Sequence, residues 1–191
     1  PVNGSFTVKK DKLENTKYTL TYTTSLSPAE EAQEVKNIAN IKYRGGDDKA
    51  EANIPKPDLG VRKTAESLDK ESNPKVIKWK IIANTDEKNK FVNLQNAVLT
   101  DTIPADQKLV SGSVIVKRVG SDETLPATAI TEEDNKFTVQ LPNGPYQYEI
   151  ELQTTIESYP SVNEKIDRYT NSVVLTNDNY EPKKADAYID Y

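Results

Sequence analysis

Lys63, Asp101 and Asn171 are the residues of this chain whose types combine into a reaction. Lys63 lies in "LGVRKTAES", where Leu59, Val61 and Lys63 share one parity. Alternate side chains of an extended strand face the same way, so the ammonium points with the apolar groups rather than away from them. Burial disfavours charge, driving a lysine toward its neutral amine and an aspartate toward its protonated acid. A lysine and an aspartate sharing an apolar pocket can therefore act as nucleophile and proton donor. An asparagine beside them supplies the electrophile: the amine attacks the side-chain carbonyl, the acid hydrogen-bonds its oxygen, and ammonia leaves a Lys-Asn isopeptide bond. Asn171 is the candidate amide. It opens the apolar run Val173, Val174 and Leu175 in "DRYTNSVVLTNDNY", although strands disfavour Asn. Taken singly, each residue has a plainer reading: a snorkelling strand lysine, an aspartate forming a turn before Thr-Ile-Pro, an asparagine bonding backbone.

Composition removes most other chemistry. The chain of 191 residues holds no Cys and no His, which excludes disulfides, thiolate catalysis, imidazole acid/base work and the usual zinc ligands. A net charge of -5, with both signs interspersed, argues against a nucleic acid or an anionic membrane as partner, since both need a concentrated basic patch. With no long apolar run and no charged-then-apolar leader, the chain reads as mature, cytosolic or excised from a longer protein.

The elements that must position the three residues have a period of two. "GSFTVKK", "KYTLTYTTSL", "NIANIKY", "KVIKWKIIAN", "SGSVIVKRV", "NKFTVQL", "YQYEIELQTTI", "NSVVLTN" and "ADAYIDY" are short Val/Ile/Thr/Tyr-rich runs separated by Gly, Pro, Asn and Asp, the pattern of an antiparallel β-sandwich. Two stretches read as helical excursions: "SPAEEAQEV", capped by Ser27 and followed by Glu30 and Glu31, and, more weakly, "IPADQK". Trp79 alternates with Ile77 and Ile81 and reads as core rather than as a ligand platform.

The first quarter of the chain matches the last in the order of its elements: an FTV strand, a Tyr-rich strand, a polar excursion, a strand beginning with Asn, an acidic turn and a closing strand alternating Ala with polar residues. Phe6 then corresponds to Phe137, Tyr18 falls near Tyr148, and Asn37 matches Asn171. Such a repeat implies two units. Residues 1-57 are expected to be the C-terminal part of a preceding sandwich domain, incomplete in itself, and 58-191 a complete domain. "NIPKPDLG" serves as a linker stiffened by Pro55 and Pro57, with the boundary near Lys56 to Asp58.

On "GVRKTAES", "VIKWKIIAN", "NAVLTDTIPADQKLVSGSVIV" and "RYTNSVVL", residues 58–191 resemble the isopeptide-forming immunoglobulin-like domains of Gram-positive surface adhesins and pilins, of the collagen-adhesin A-region type. The resemblance implies an immunoglobulin-like sandwich in which Lys63 is the amine partner, Asp101 the acid assisting isopeptide formation and Asn171 the amide partner. Asn37 would be the possible crosslink amide of the incomplete first domain. It also implies a stalk module on a Gram-positive cell wall, whose partners are neighbouring domains of the same surface protein. The alternative is an adhesin domain recognising an extracellular-matrix protein such as collagen. Neither reading requires a cofactor or metal, and neither describes an enzyme beyond a single-turnover intramolecular reaction.

Other signals carry less. In "RGGDDK", Gly45 and Gly46 separate Arg44 from Asp47, so no integrin tripeptide exists. The acidic turns "NDNYE" and "NTDEKN" lack the glycine and distal glutamate of an EF-hand loop. Asn3 in "NGS" matches a glycosylation acceptor, which matters only on a eukaryotic secretory route. Glu132 and Glu133 are adjacent and point to opposite sides, unlike the convergent acids of a glycosidase.

Overall fold

Strict alternation makes strands of the apolar runs, and burial on one face packs them in pairs. In the computed structural model, residues 7–10, 17–23, 34–55, 58–85, 92–159 and 168–191 are described. Asn3, Phe6, the Ser27-led excursion as far as residue 33, the linker residues Lys56 and Pro57, and most of "NTDEKN" lie outside them. The chain divides into two compact units, Pro1–Lys56 and Pro57–Tyr191.

In the first unit, β1 (Glu34–Tyr43) and β2 (Gly46–Pro55) form an antiparallel hairpin. Tyr43 faces Gly46 across its turn. Residues 7–10 and 17–23 read as strand from their alternation but belong to no sheet, and all their side chains are exposed. A strand needs a partner for its backbone groups, and none of the described residues pairs with these in a ladder.

The second unit is an all-β, immunoglobulin-like sandwich of two antiparallel five-stranded sheets. One sheet has the order β3 (Val61–Asp69), β4 (Val76–Ala83), β10 (Tyr148–Ile156), β6 (Gln107–Leu109), with β7 (Ile115–Arg118) also on β10. The other runs β12 (Tyr180–Asp190), β11 (Arg168–Asn177), β5 (Val98–Thr102), β9 (Lys136–Gln140), β8 (Ile130–Glu133). Among the described residues the helical content is a single 3-10 turn, Ala127–Ala129.

The core lies between the sheets, where the inward sets of β4 (Ile77, Trp79, Ile81) and β10 (Tyr148, Ile150, Leu152) meet Leu99, Phe137, Val139, Val173 and Leu175. Burying a large apolar side chain stabilises by about 1.5–3 kcal/mol, so this layer is the main force holding the sheets together.

"IPADQK" is not a helix. Gln107 N–H donates to the Pro104 carbonyl at 3.0 Å, closing a tight turn, after which Gln107 and Leu109 turn inward as β6 and pair with β10. The hydrogen-bonding edge of β10 and the buried alternation of these residues outweigh the weak local preference. A second departure is a bulge in β3 between Ala65 and Ser67. Simple parity from Lys63 would turn Ser67 and Asp69 inward. The extra residue resets it, so that Leu68 packs on the core while Ser67 and Asp69 are exposed.

Candidate functional site

Lys63 stands on β3, an outer strand of its sheet, opposite Ile81. It faces inward with Val61 and Ala65, and its side chain is fully out of solvent. Asp101 stands on β5, the middle strand of the other sheet, flanked by Val173 and Phe137 as cross-strand partners. Both neighbours are wholly buried. Lys63 Nζ donates to Asp101 Oδ2, tying the two sheets together, while Asp101 Oδ1 has no hydrogen-bond partner. The Trp79 ring closes one side, its centroid 5.6 Å from Nζ.

Burial holds Lys63 below the ordinary lysine range, opposed by the Asp101 carboxylate and more weakly by Asp186. It pushes Asp101 above the ordinary carboxylate range, opposed by the Lys63 ammonium and then by the Asn171 amide. Both shifts favour the neutral forms, amine and acid, and so reduce the cost of keeping two ionisable groups in a dry interior.

Asn171 does not open its strand: β11 begins three residues earlier, at Arg168. The local apolar run misplaced the start, because residues 168–170 pair with β12 and extend the ladder. Asn171 faces Ala187 on β12. Since Val173 is opposite Asp101 and Asn171 is two residues from Val173, Asn171 lies on the same inward face as Asp101. It is 1% exposed, and neither Nδ2 nor Oδ1 makes a hydrogen bond of ordinary length and angle, although the amide lies near enough to the Asp101 carboxylate to hold down that acid's pKa. A buried polar group left unpaired costs about 1–3 kcal/mol, so the native position of this amide calls for an explanation. The site is thus an amine and an acid in contact, with an unpaired carboxamide on the acid's face of the core.

Asn37, on β1, is exposed, and its Nδ2 donates to the Tyr22 hydroxyl. No buried lysine accompanies it among the described residues. Trp79 is core, 1% exposed. Glu132 accepts hydrogen bonds from the Ser111 hydroxyl and the Gly112 amide, fastening a turn. No group of three or more metal-ligating side chains occurs among the described residues.

Sequence reasoning missed Gln107 and Thr154, both wholly buried. Trp79 Nε1 donates to Thr154 Oγ1 and Thr154 Oγ1 donates to Gln107 Oε1, each at 2.9 Å. Gln107 Nε2 in turn donates to the Thr170 carbonyl at 2.9 Å. A signal existed for Thr154, which sits at an inward position of the alternation Tyr148, Ile150, Leu152, Thr154, Ile156. Gln107 was hidden by the helical reading of its segment.

Fold and site together define an immunoglobulin-like β-sandwich domain carrying a buried amine, acid and amide between its sheets. The family described as the collagen binding domain matches residues 65–186, well over half of the chain, and the chain belongs to that family, a binding family rather than an enzyme family. No curated protein sequence matches it. Similar solved structures include the collagen binding subdomain of Enterococcus faecalis surface protein ACE, at 15% identity and TM-score 0.49, covering 72% of this chain and 99% of that one. The collagen binding domain of Erysipelothrix rhusiopathiae surface protein RspB is similar at 18% identity and TM-score 0.44, covering 82% of this chain and 60% of that one. Two domains of the major pilin SpaD of Corynebacterium diphtheriae are similar at 17% identity and TM-score 0.48, covering 68% of this chain and 50% of that one. The chain therefore spans about three fifths of the second protein chain and half of the third.

Proposed function

We propose that the chain is a structural module of an extracellular Gram-positive adhesin or pilus, stiffened by a Lys63–Asn171 isopeptide bond that forms once, with Asp101 as the assisting acid. The observation that carries this is the wholly buried Lys63–Asp101 contact with an unpaired, buried Asn171 amide on the same face. Lys63 passes a proton to Asp101, leaving a neutral amine and a neutral acid. Nζ then bonds to Asn171 Cγ while Asp101 stabilises the developing charge on Oδ1. The Cγ–Nδ2 bond breaks, and Nδ2 departs as ammonia with the one proton the neutral Nζ loses on becoming an amide, while Asp101 keeps the proton first passed to it. Two side chains are joined, one ammonia is lost and no oxidant is needed.

The hairpins support reading the first unit as the tail of a similar domain. Asn37 is the fourth residue of the ten-residue β1 and faces Ala52, and Asn171 is the fourth residue of the ten-residue β11 and faces Ala187. A rod of such modules would hold a binding tip away from the cell wall.

Intact mass of freshly purified protein tests the bond. A deficit of one ammonia, abolished by Lys63→Ala, Asn171→Ala or Asp101→Ala, supports it, and the full calculated mass rejects it.

The family match favours a second reading, in which the domain itself grips a host matrix protein such as collagen. Retention of the chain on collagen-coated beads, with albumin-coated beads as the blank, would favour the binding domain over the passive stalk.

A further inference from the structure

The β11–β5 ladder ends one step short of Asn171. Its last pair is Ser172 with Thr102, so continuing the register sets Thr170 opposite Pro104. Antiparallel bonding alternates sides. Ile103 N–H donates to the Asn135 carbonyl on the β9 side at 2.7 Å, which directs the backbone of residues 102 and 104 toward β11. Pro104 has no N–H to give. The Thr170 carbonyl, immediately before the candidate amide, therefore has no ladder donor at that place.

Gln107 supplies one. Its chain turns back after Pro104 through the 104–107 turn, and Nε2 donates to the Thr170 carbonyl at 2.9 Å. The carboxamide cannot swing away, since Oε1 accepts from the Thr154 hydroxyl and the Gln107 carbonyl accepts from Asn135 Nδ2 at 2.9 Å. Thr154 is held in turn by Trp79, whose ring packs near the Lys63 ammonium. A buried polar chain thus runs from the ring beside the amine, across the core, to the backbone beside the amide.

We infer that Gln107, anchored by Thr154, is a positioning residue for isopeptide formation, fixing the β11 backbone so that the unpaired Asn171 carboxamide is presented to Lys63. The inference rests on the proposed crosslink and adds to it. The Asn171 carboxamide makes no close hydrogen bond and is approached only by the Asp101 carboxylate, so its orientation depends largely on its backbone and on packing. An intramolecular reaction loses rate steeply when a reacting atom is misplaced.

The test is a time course of ammonia loss by intact mass on the full chain made by cell-free synthesis and quenched in acid, with fluorescence of the sole Trp79 reporting folding. Gln107→Met keeps the side chain's length but removes donor and acceptor. Thr154→Val releases the Gln107 carboxamide. Val114→Ala, at a buried site outside the chain, is a destabilised comparator. Gln107→Met should fold and lose ammonia roughly tenfold more slowly, about the effect of one hydrogen bond on a barrier. Thr154→Val should slow the reaction by a smaller factor, and Val114→Ala should react at the wild-type rate. A wild-type rate in folded Gln107→Met, or equal slowing in Val114→Ala, overturns the positioning role and leaves the crosslink standing. If Gln107→Met does not fold, a wild-type rate in Thr154→Val overturns it. Full mass in the wild type overturns the crosslink and the positioning role together.

Discussion

Lys63 and Asp101 meet across the sandwich with both side chains wholly out of solvent, joining the outer strand of one sheet to the middle strand of the other. Such pairs seldom add stability over apolar groups of the same size, because desolvation offsets their attraction. Keeping one in a core of Phe137, Val173 and Trp79 makes sense if the groups react, since the burial that costs stability also shifts both groups toward the neutral amine and the neutral acid.

Removing one partner should therefore be far worse than removing both. With Asn171→Ala as the uncrosslinked background, adding Asp101→Ala strands the Lys63 amine and should lower stability by about 3–5 kcal/mol. Adding Lys63→Met with Asp101→Leu instead should leave stability equal or higher. Urea denaturation of the three proteins gives the comparison.

The proposed crosslink should show itself in unfolding. Tying Lys63 to Asn171 closes a loop of roughly 110 residues, and by analogy with a disulfide of that span the restriction of the unfolded chain stabilises by roughly 4 to 5 kcal/mol. Wild type should unfold at higher urea than Asn171→Ala and be cleaved more slowly by trypsin. Reductant should change neither, the chain having no Cys.

Stability should carry the sign of both pKa shifts. Asp101 is held above its ordinary 3.8, so the folded chain keeps a proton that the unfolded chain has released, and stability falls as pH rises from that value to Asp101's own. Lys63 is held below its ordinary 10.5, so the folded chain gives up its proton first, and stability climbs as pH rises from Lys63's own value toward 10.5. The difference in stability between Asn171→Ala and its Lys63→Met/Asp101→Leu derivative, followed against pH, should be least favourable to the pair at a pH between 3.8 and 10.5. The rate of ammonia loss should be bell-shaped, falling in acid as the amine is protonated and in alkali as the acid is lost.

Tyr169 gives an independent check on the second sheet. Its hydroxyl donates to the Ser158 carbonyl at 2.9 Å, and burial pushes its pKa from 10.0 to about 12. Since the unfolded phenol ionises first, stability should fall between those two values. Tyr169→Phe should remove the latest step of the tyrosine absorbance titration and cost about 1 kcal/mol at neutral pH for the lost hydrogen bond.

The chain's own pattern determined which residues could enter the core. Parity alone put Lys63 with Leu59 and Val61, set Trp79 between Ile77 and Ile81, and announced an all-β sandwich, because an extended backbone fixes which way each side chain faces relative to its neighbours. Parity fails where the backbone departs from the two-residue repeat. The β3 bulge after Ala65 and the turn that carries Gln107 into β6 were both illegible, the second because a strand three residues long has too little pattern to outweigh a helix-like local composition.

Tertiary structure alone decided which inward residues meet. Lys63 and Asp101 lie in different sheets, and their contact depends on strand order and register, long-range quantities that no window of sequence contains. The same holds for Thr170: its sequence neighbours do not say that the β11–β5 register runs on toward Pro104, which has no N–H, or that the Gln107 carboxamide donates to the Thr170 carbonyl. Side-chain direction is a property of the local backbone, whereas the company a side chain keeps is fixed only when the sheets close on one another.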